Sequence, residues 1–513
     1  MTPSSVRLTP LLFAFLLQLL ILAGCGGGGS TGAQSTNAKS SNSPTHGYFR
    51  KTNGATGAIA KATGNATVNM SYPRIGESAT LLADGRVLIA GGNNTPPDNP
   101  NFTAYNNAEL FDPSTELFSM VPSTMSVART EQCAVMMSDK RVLMIASDPY
   151  GPLPDLSLVD IFDPSTNTFS SQHVAGYQLL PTGTSGDDKL HCFLLPGQRV
   201  FIFGGAISGN QMAAPSVLDL TTWTARPITL LGADPLLYER YYESATQAFD
   251  GRVFVVGGMT AHYLSTTTSQ ASADVLVFDP ATETMQVVGQ LLTARTDAGI
   301  LPMDDGSIEV YGGANWASDG ITAQRLTSIE RISPTGSATS IGDLVAIKLY
   351  FTSVMLENGL SLHVGGAGGD GMTTQTEILF DETAHSSSFT GDMVEERSDY
   401  GITMLGTGRV LIAGGSNLFG KASNTAEIYE PDAEFYITLP NPVLALGESV
   451  QLTPQPNLTV TWSAKLGTVN AGGLYTAPDV ATWQAKGTSP FDEVTATASD
   501  GSQATARIEL LAP

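Results

Sequence analysis

Cysteine, histidine and basic side chains are all scarce in this chain, and each scarcity closes off a class of chemistry. Three cysteines among 513 residues cannot build a disulfide-dense scaffold, and no two of them form a C-x-x-C pair that would seat zinc or a redox couple. The six histidines, His46, His173, His191, His262, His363 and His385, include no H-E-x-x-H signature, and no complete G-x-x-x-x-G-K-[ST] phosphate loop occurs. Lys and Arg number 25 against 48 Asp and Glu, a balance of −23 without any basic tract, so nucleic acid and anionic lipid surfaces are not expected partners. No motif for a cofactor or a metal is found. Only 14% of residues are charged, as fits strands buried between layers.

What the chain has instead is repetition. Seven times an apolar strand, a tight turn and a second apolar strand follow one another, usually ending in Gly-Gly: Leu81 to Gly92, then copies ending at Ser147, Gly205, Gly258, Gly313, Gly366 and Gly415. The first position of the pair falls at 91, 146, 204, 257, 312, 365 and 414, a period of 49 to 58 residues that fits one four-stranded unit per repeat. Asp84-Gly85 is a two-residue hairpin signal joining strands a and b. A second phrase, Ala108 to Phe118 and its copies from Val159 and Val275, runs an apolar strand into Asp-Pro, where the missing amide stops the ladder. These are strands c and d. Ser147 departs from the glycine pair by drift. A closed ring needs one unit shared between chain ends, with Ala66 to Met70 and Glu434 to Ile437 as rival donors.

Double glycine after strand b with aromatics on strands c and d resembles the kelch repeat, and seven copies resemble the propeller of galactose oxidase-like proteins. The resemblance implies an all-β, seven-bladed kelch-type β-propeller over residues 58–438. The stretch 439–513, with alternating strands at Val460 to Ala464, Val494 to Ala498 and Ala506 to Leu510, resembles a small bacterial immunoglobulin-like β-sandwich, with Trp462 as its expected core aromatic. At the other end, Arg7 and the apolar run Leu11 to Leu22, too short to span a bilayer, read as a signal peptide over residues 1–24. Leu22-Ala23-Gly24-Cys25 resembles a bacterial lipobox. It implies lipidation of Cys25 and a place in the cell envelope, at the outer membrane or cell surface, anchored by lipid only. Residues 25–57, rich in Gly, Ser and Asn, read as a flexible tether.

The galactose oxidase resemblance implies copper held by two Tyr and two His, with a Tyr-His pair adjacent in the chain and a Cys cross-linked to one Tyr. No Tyr-His dipeptide occurs and no His follows His385, so the copper set is not found. Cys133 and Cys192 occupy matching places on strand a of adjacent units. A bridge is permitted there, and two buried thiols are the expectation.

One spacing stands out. Arg74, Arg129, Arg240, Arg295 and Arg397 each precede the first position of a glycine pair by 17 residues, and Lys348 does so in the sixth repeat. Two residues further come Glu131, Asp297 and Asp399, on the same strand face. Together with long b–c loops carrying Phe102, Tyr105, Tyr263 and Trp316, they outline a ligand site at the channel mouth, the arginines pairing with acidic or hydroxyl groups. The alternative is that each Arg ties its unit to the next. The functional expectation is a binding or adhesion module for protein or glycan. The competing class is a copper oxidase or other secreted carbohydrate-active enzyme.

Overall fold

The computed structural model describes residues 47–52, 67–96, 99, 101–145, 157–176, 190–207, 211–232, 240–260, 270–316, 323–369, 373–417, 420–431, 436–440, 443–455, 457–486, 489, 491–499, 501 and 503–511. The signal peptide, Cys25, His46, Ser147, Tyr263 and His262 lie outside them. Among the described residues no helix is long and apolar enough to cross a membrane.

The fold is all-β and propeller-like. Seven sheets of four antiparallel strands, a to d, succeed one another. In the first sheet these are Ile75–Leu81, Val87–Asn93, Ala108–Asp112 and Leu117–Met120. The a–b hairpin turns at Asp84-Gly85 but through three residues rather than the expected two: the Leu82 amide donates to Arg86 and the Gly85 amide to Leu82 around Ala83 to Gly85, with Gly85 alone at positive φ, 85°, and the Arg86 amide donating to the Asp84 carboxylate. At the c–d turn the Asp112 carboxylate accepts from the amide and hydroxyl of Ser114, and the turn ends on Glu116 at φ 55°. The third and fifth sheets are complete although the Asp-Pro phrase is absent from both. The third uses Ser216–Asp219 and Thr224–Pro227 for c and d, and the fourth gains a parallel edge strand, Thr229–Leu231.

Strand b is buried on both faces, as Val87, Leu88, Ile89 and Ala90 illustrate, because each sheet is covered by a neighbour on either side. Seven apolar clusters result, one between each successive pair of sheets. The cluster of Val87 and Phe111 with Leu411 and Ile428 joins the first sheet to the seventh. Glycine pairs stitch the same seams. The second glycine donates its amide to the backbone oxygen of the cation opening the next sheet: Gly92 to Arg129, Gly258 to Arg295, Gly313 to Lys348, Gly366 to Arg397 and Gly415 to Arg74. A Cβ on Gly366 (φ 77°) would lie 2.1 Å from the Leu349 carbonyl oxygen, so no other residue fits there.

Closure corrects two expectations. Strand d of the seventh sheet is Tyr48–Lys51, antiparallel to Ala426–Glu430. Neither rival donor takes that place: Thr67 bridges Phe118 in the first sheet, and Tyr436–Thr438 pairs with Thr453–Gln455. The closing strand therefore lies inside the stretch 25–57 expected as tether. Apolar Phe49 packs at a tilt against Tyr429, and Arg50 bonds to both Glu430 and Glu116, contacts that the polar residues around this strand disguised.

Cys133 and Cys192 form a disulfide rather than two thiols, their Cα atoms 6.0 Å apart on adjacent a strands. The inner strands approach more closely near the axis than the spacing of whole sheets suggested.

Residues 436–511 form a separate β unit. Val443–Ala445, Gln503–Leu511, Phe491–Ala498 and Val460–Ala464 make one sheet, Ser449–Gln451, Leu474–Thr476 and Thr468–Val469 another, with one short helix, α1 (Val480–Ala485), capped by Asp479. Both sheets share one core, centred on Tyr475 and Trp483, while Trp462 packs only at its margin. The unit lies on the a–b turns. Phe491 meets Phe249 edge-on, the Leu439 amide donates to Gly406, and Glu448 and Lys465 pair with Lys140 and Asp304.

Candidate functional site: the two ends of the central channel

The a strands of all seven sheets surround a channel that differs at its two ends. At the end where strand a begins, the structure gives the six repeated cations a shared task. Arg74, Arg240, Arg295 and Arg397 each donate to the carbonyl of the first glycine on their own strand b, and Lys348 does the same to Gly365. The spacing of 17 residues is that hairpin measured along the chain. Each cation also meets an acid on strand c, or just before it in the case of Glu377: Arg74–Glu109, Arg129–Asp160, Arg240–Asp274, Arg295–Glu330, Lys348–Glu377 and Arg397–Glu427. The acid in turn accepts from amides just upstream of strand a, as Glu330 does from Leu292 and Thr293, and Glu427 from Val394 and Glu395. A cation and a carboxylate thus fasten the link arriving from the previous sheet onto the middle of the next. All five arginines are at most 1% exposed, so their guanidinium groups are turned into the sheets and away from the channel surface. Burial pulls the Arg129, Arg295 and Lys348 pKa values down, and the facing carboxylates oppose that fall.

The strand-c acids went unnoticed in the sequence because Glu109 and Asp160 read as the polar member of an alternating strand. Their signal was present: an acid in or just before strand c of six repeats.

Two residues after each cation the backbone turns left-handed: Gly76, Glu131, Tyr242, Asp297, Tyr350 and Asp399 have φ between 51° and 67°. For non-glycine residues that is a strained region. These residues ring the lip and link sheet to sheet, the Gly76 amide donating to Asp399, Glu131 to Gly76, and Asp297 to Tyr242. A cavity of about 80 Å3 opens between them, lined by Gly76, Glu77, Glu131, Tyr350, Thr352, Asp399 and Tyr400. Glu77 accepts from the Gly401 amide through Oε1, while its buried Oε2 has no partner, and burial pushes its carboxyl up to about 7. Trp316 stands beside this lip on Ala314–Trp316, its indole donating to Thr296. Of the expected site, Glu131 and Asp399 are therefore brought together, Asp297 and Trp316 are placed round the rim, and the arginines are withdrawn from it.

The other end is a chamber of about 540 Å3. Strand-a residues of all seven sheets line it, among them Leu81, Met136, Phe193, Gln247, Leu301, Met355 and Met404, and the C-terminal unit covers it with Leu439, Val443, Trp483, Phe491, Glu509 and Leu510. Two carboxyls stand in these mostly apolar walls, Glu357 and Glu509, raised by burial alone to about 8 and about 7.

The histidines do not converge. His363 is fully buried, with Nδ1 against the Ser353 hydroxyl and Nε2 against Ser361, and burial lowers it to about 3. His173 bonds to Ser157, His191 lies 3.9 Å from Glu243, and His385 stacks on Phe380. Among the described residues no three His, Cys, Asp or Glu side chains gather as a metal site.

No family model matches the chain. Among curated proteins it is 24% identical over 235 residues to the spermatocyte protein spe-26 of Caenorhabditis elegans, a match covering 45% of this chain and 37% of that protein, so the chain spans well under half of that relative. Among solved structures it is similar to a fungal alcohol oxidase of the AA5 family, determined in complex with copper, with TM-score 0.60, 13% identity, and coverage of 91% of this chain and 100% of that one. The likeness is one of fold: a galactose oxidase-like, propeller-like, all-β chain.

Proposed function

We propose that this chain is a seven-bladed kelch-type propeller with an immunoglobulin-like C-terminal domain, exported and anchored by a lipid on Cys25 in a bacterial envelope, that binds a protein or glycan at the channel lip. The observation that carries the binding reading is the lip itself: carboxylates and tyrosines on left-handed backbone, held by sheet-to-sheet hydrogen bonds. Because the arginines are spent inside the sheets, recognition falls to Glu131, Asp399 and Tyr350, which suit ligand hydroxyls and amines rather than the acids expected from sequence. The disulfide supports export to an oxidising compartment. Glycan and surface-protein arrays test the reading: a ligand held by the parent and lost by both Glu131→Gln and Asp399→Asn supports it, and equal binding by both variants sinks it. Radiolabelled palmitate incorporated by the parent and not by Cys25→Ala would support the anchor.

A second reading, a copper alcohol oxidase, is favoured by the structural likeness, which lends it more than it lends the first. The residues do not fit copper: the four described histidines do not converge, His173 and His191 lying in the second and third sheets and His363 and His385 on strand b and just before strand d of the sixth, and both cysteines on the propeller are joined to each other rather than free for a tyrosine cross-link. Stoichiometric copper retained through dialysis, with oxidation of primary alcohols, would establish the second reading over the first.

A further inference from the structure

The chamber under the C-terminal unit plays no part in lip binding, yet it breaks the repeat symmetry. The residue opening each a–b turn is Ala83, Ser138, Pro196, Phe249, Asp304 or Gly406 in the other six sheets. Ala83, Phe249, Asp304 and Gly406 touch the C-terminal unit, Asp304 by pairing with Lys465. In the sixth sheet the position is Glu357, which lines the chamber beside Pro196 and Gly406 and brings a carboxyl where they bring none. Its Oε2 is buried with no hydrogen-bond partner, pressed toward Gly408, where a Cβ would lie 2.6 Å away. Glu509 reaches the same chamber from strand Gln503–Leu511 of the capping unit. No Lys, Arg or His is among the lining residues, so these are its two titrating groups.

A buried carboxyl without a partner costs stability, and its placement in a chamber of ligand size asks what would satisfy it. A neutral apolar ligand leaves both carboxyls unserved. An anionic one meets acids of its own sign. A metal ion would find two carboxyls with no third acid and no histidine among the lining residues to complete a set.

We propose that the chamber is a binding site for a small hydrophobic amine, its ammonium group held by Glu357 and Glu509 and its apolar body lying along Met355, Met404, Leu81 and Leu301. An ammonium restores the lost charge compensation, and the walls remove the alkyl surface from water. On binding, any proton that Glu357 or Glu509 holds in the empty chamber passes to solvent, and an ammonium–carboxylate pair forms. The site is independent of the lip.

The test is titration calorimetry of the purified protein at pH 8 with n-octylamine, 1-octanol and octanoate. Expected are one octylamine per chain, at least tenfold tighter than octanol, and no octanoate binding. Glu357→Gln should weaken octylamine at least tenfold while leaving octanol within twofold, and Glu509→Gln provides the same comparison should the first variant fold poorly. Equal affinity for amine and alcohol, or unchanged amine affinity in a folded variant, overturns the proposal.

Discussion

The channel's two ends solve opposite problems with the same seven strands. At the lip the repeated charges are matched: cations buried at 0–1% exposure meet acids of strand c and glycine carbonyls, and the backbone accepts left-handed turns to link sheet to sheet. At the capped end Glu357 and Glu509 stand in apolar walls, raised only by the loss of water. The first end is built by repetition and holds the ring together. The second departs from the repeat at single residues, which is where a repeat fold departs when a ligand rather than the scaffold sets the side chain.

Removing one partner of a buried pair should break the comparison hardest. Arg295→Ala leaves Glu330 buried and uncompensated and is expected to destabilise by about 3–5 kcal/mol, read by urea denaturation, with Arg397→Ala similar. An effect under about 1 kcal/mol would mean the lip pairs are not the fasteners described. Next, Cys133→Ser with Cys192→Ser opens a link of sequence separation 59 between the second and third sheets, with an expected loss of about 4 kcal/mol from chain entropy; comparing oxidised and reduced parent protein checks it.

Smaller is the pH effect at the capped end. Because the Glu357 pKa is raised in the folded state, the native chain binds more protons than the unfolded one between the ordinary carboxylate range and about 8, so stability falls as pH rises through that window. Glu357→Gln should therefore exceed the parent by roughly 1–2 kcal/mol at pH 8.5, the advantage vanishing near pH 5. An advantage independent of pH would point to packing instead. Smallest is Lys465→Ala, which removes the exposed 2.6 Å pair with Asp304 and should cost under about 1 kcal/mol at low salt, since the apolar contact of Phe491 with Phe249 remains.

The repeat was legible because its determinants are local. Asp84-Gly85 demands a hairpin, Asp112-Pro113 ends a strand, and Gly91-Gly92 sits where only glycine fits, so each can be read without knowing its neighbours. The spacing of Arg295 to Gly312 was equally visible, but its meaning was not, since the acid that completes it lies 35 residues on, in strand c. The same limit hid Tyr48–Lys51, whose partner is Ala426–Glu430, and the disulfide, which depends on how near two inner strands come. Glu357 looked like any polar turn residue until the C-terminal unit covered it. Local rules reach a hairpin, and contacts between sheets need the ring.

The clasp at Arg50 sets the order in which this molecule can be finished. Its side chain holds Glu430, 380 positions downstream, and Glu116 of the first sheet at once. Bringing ends so distant together costs roughly 5 kcal/mol of loop entropy, only modestly more than a loop a quarter as long. Time is affected far more than stability: a ribosome releasing this chain makes the first half of the latch early and must complete almost every sheet before the second half exists. Until then the seventh sheet keeps a bare edge, and Tyr48–Lys51 waits as a loose strand able to zip onto any other molecule of its own kind.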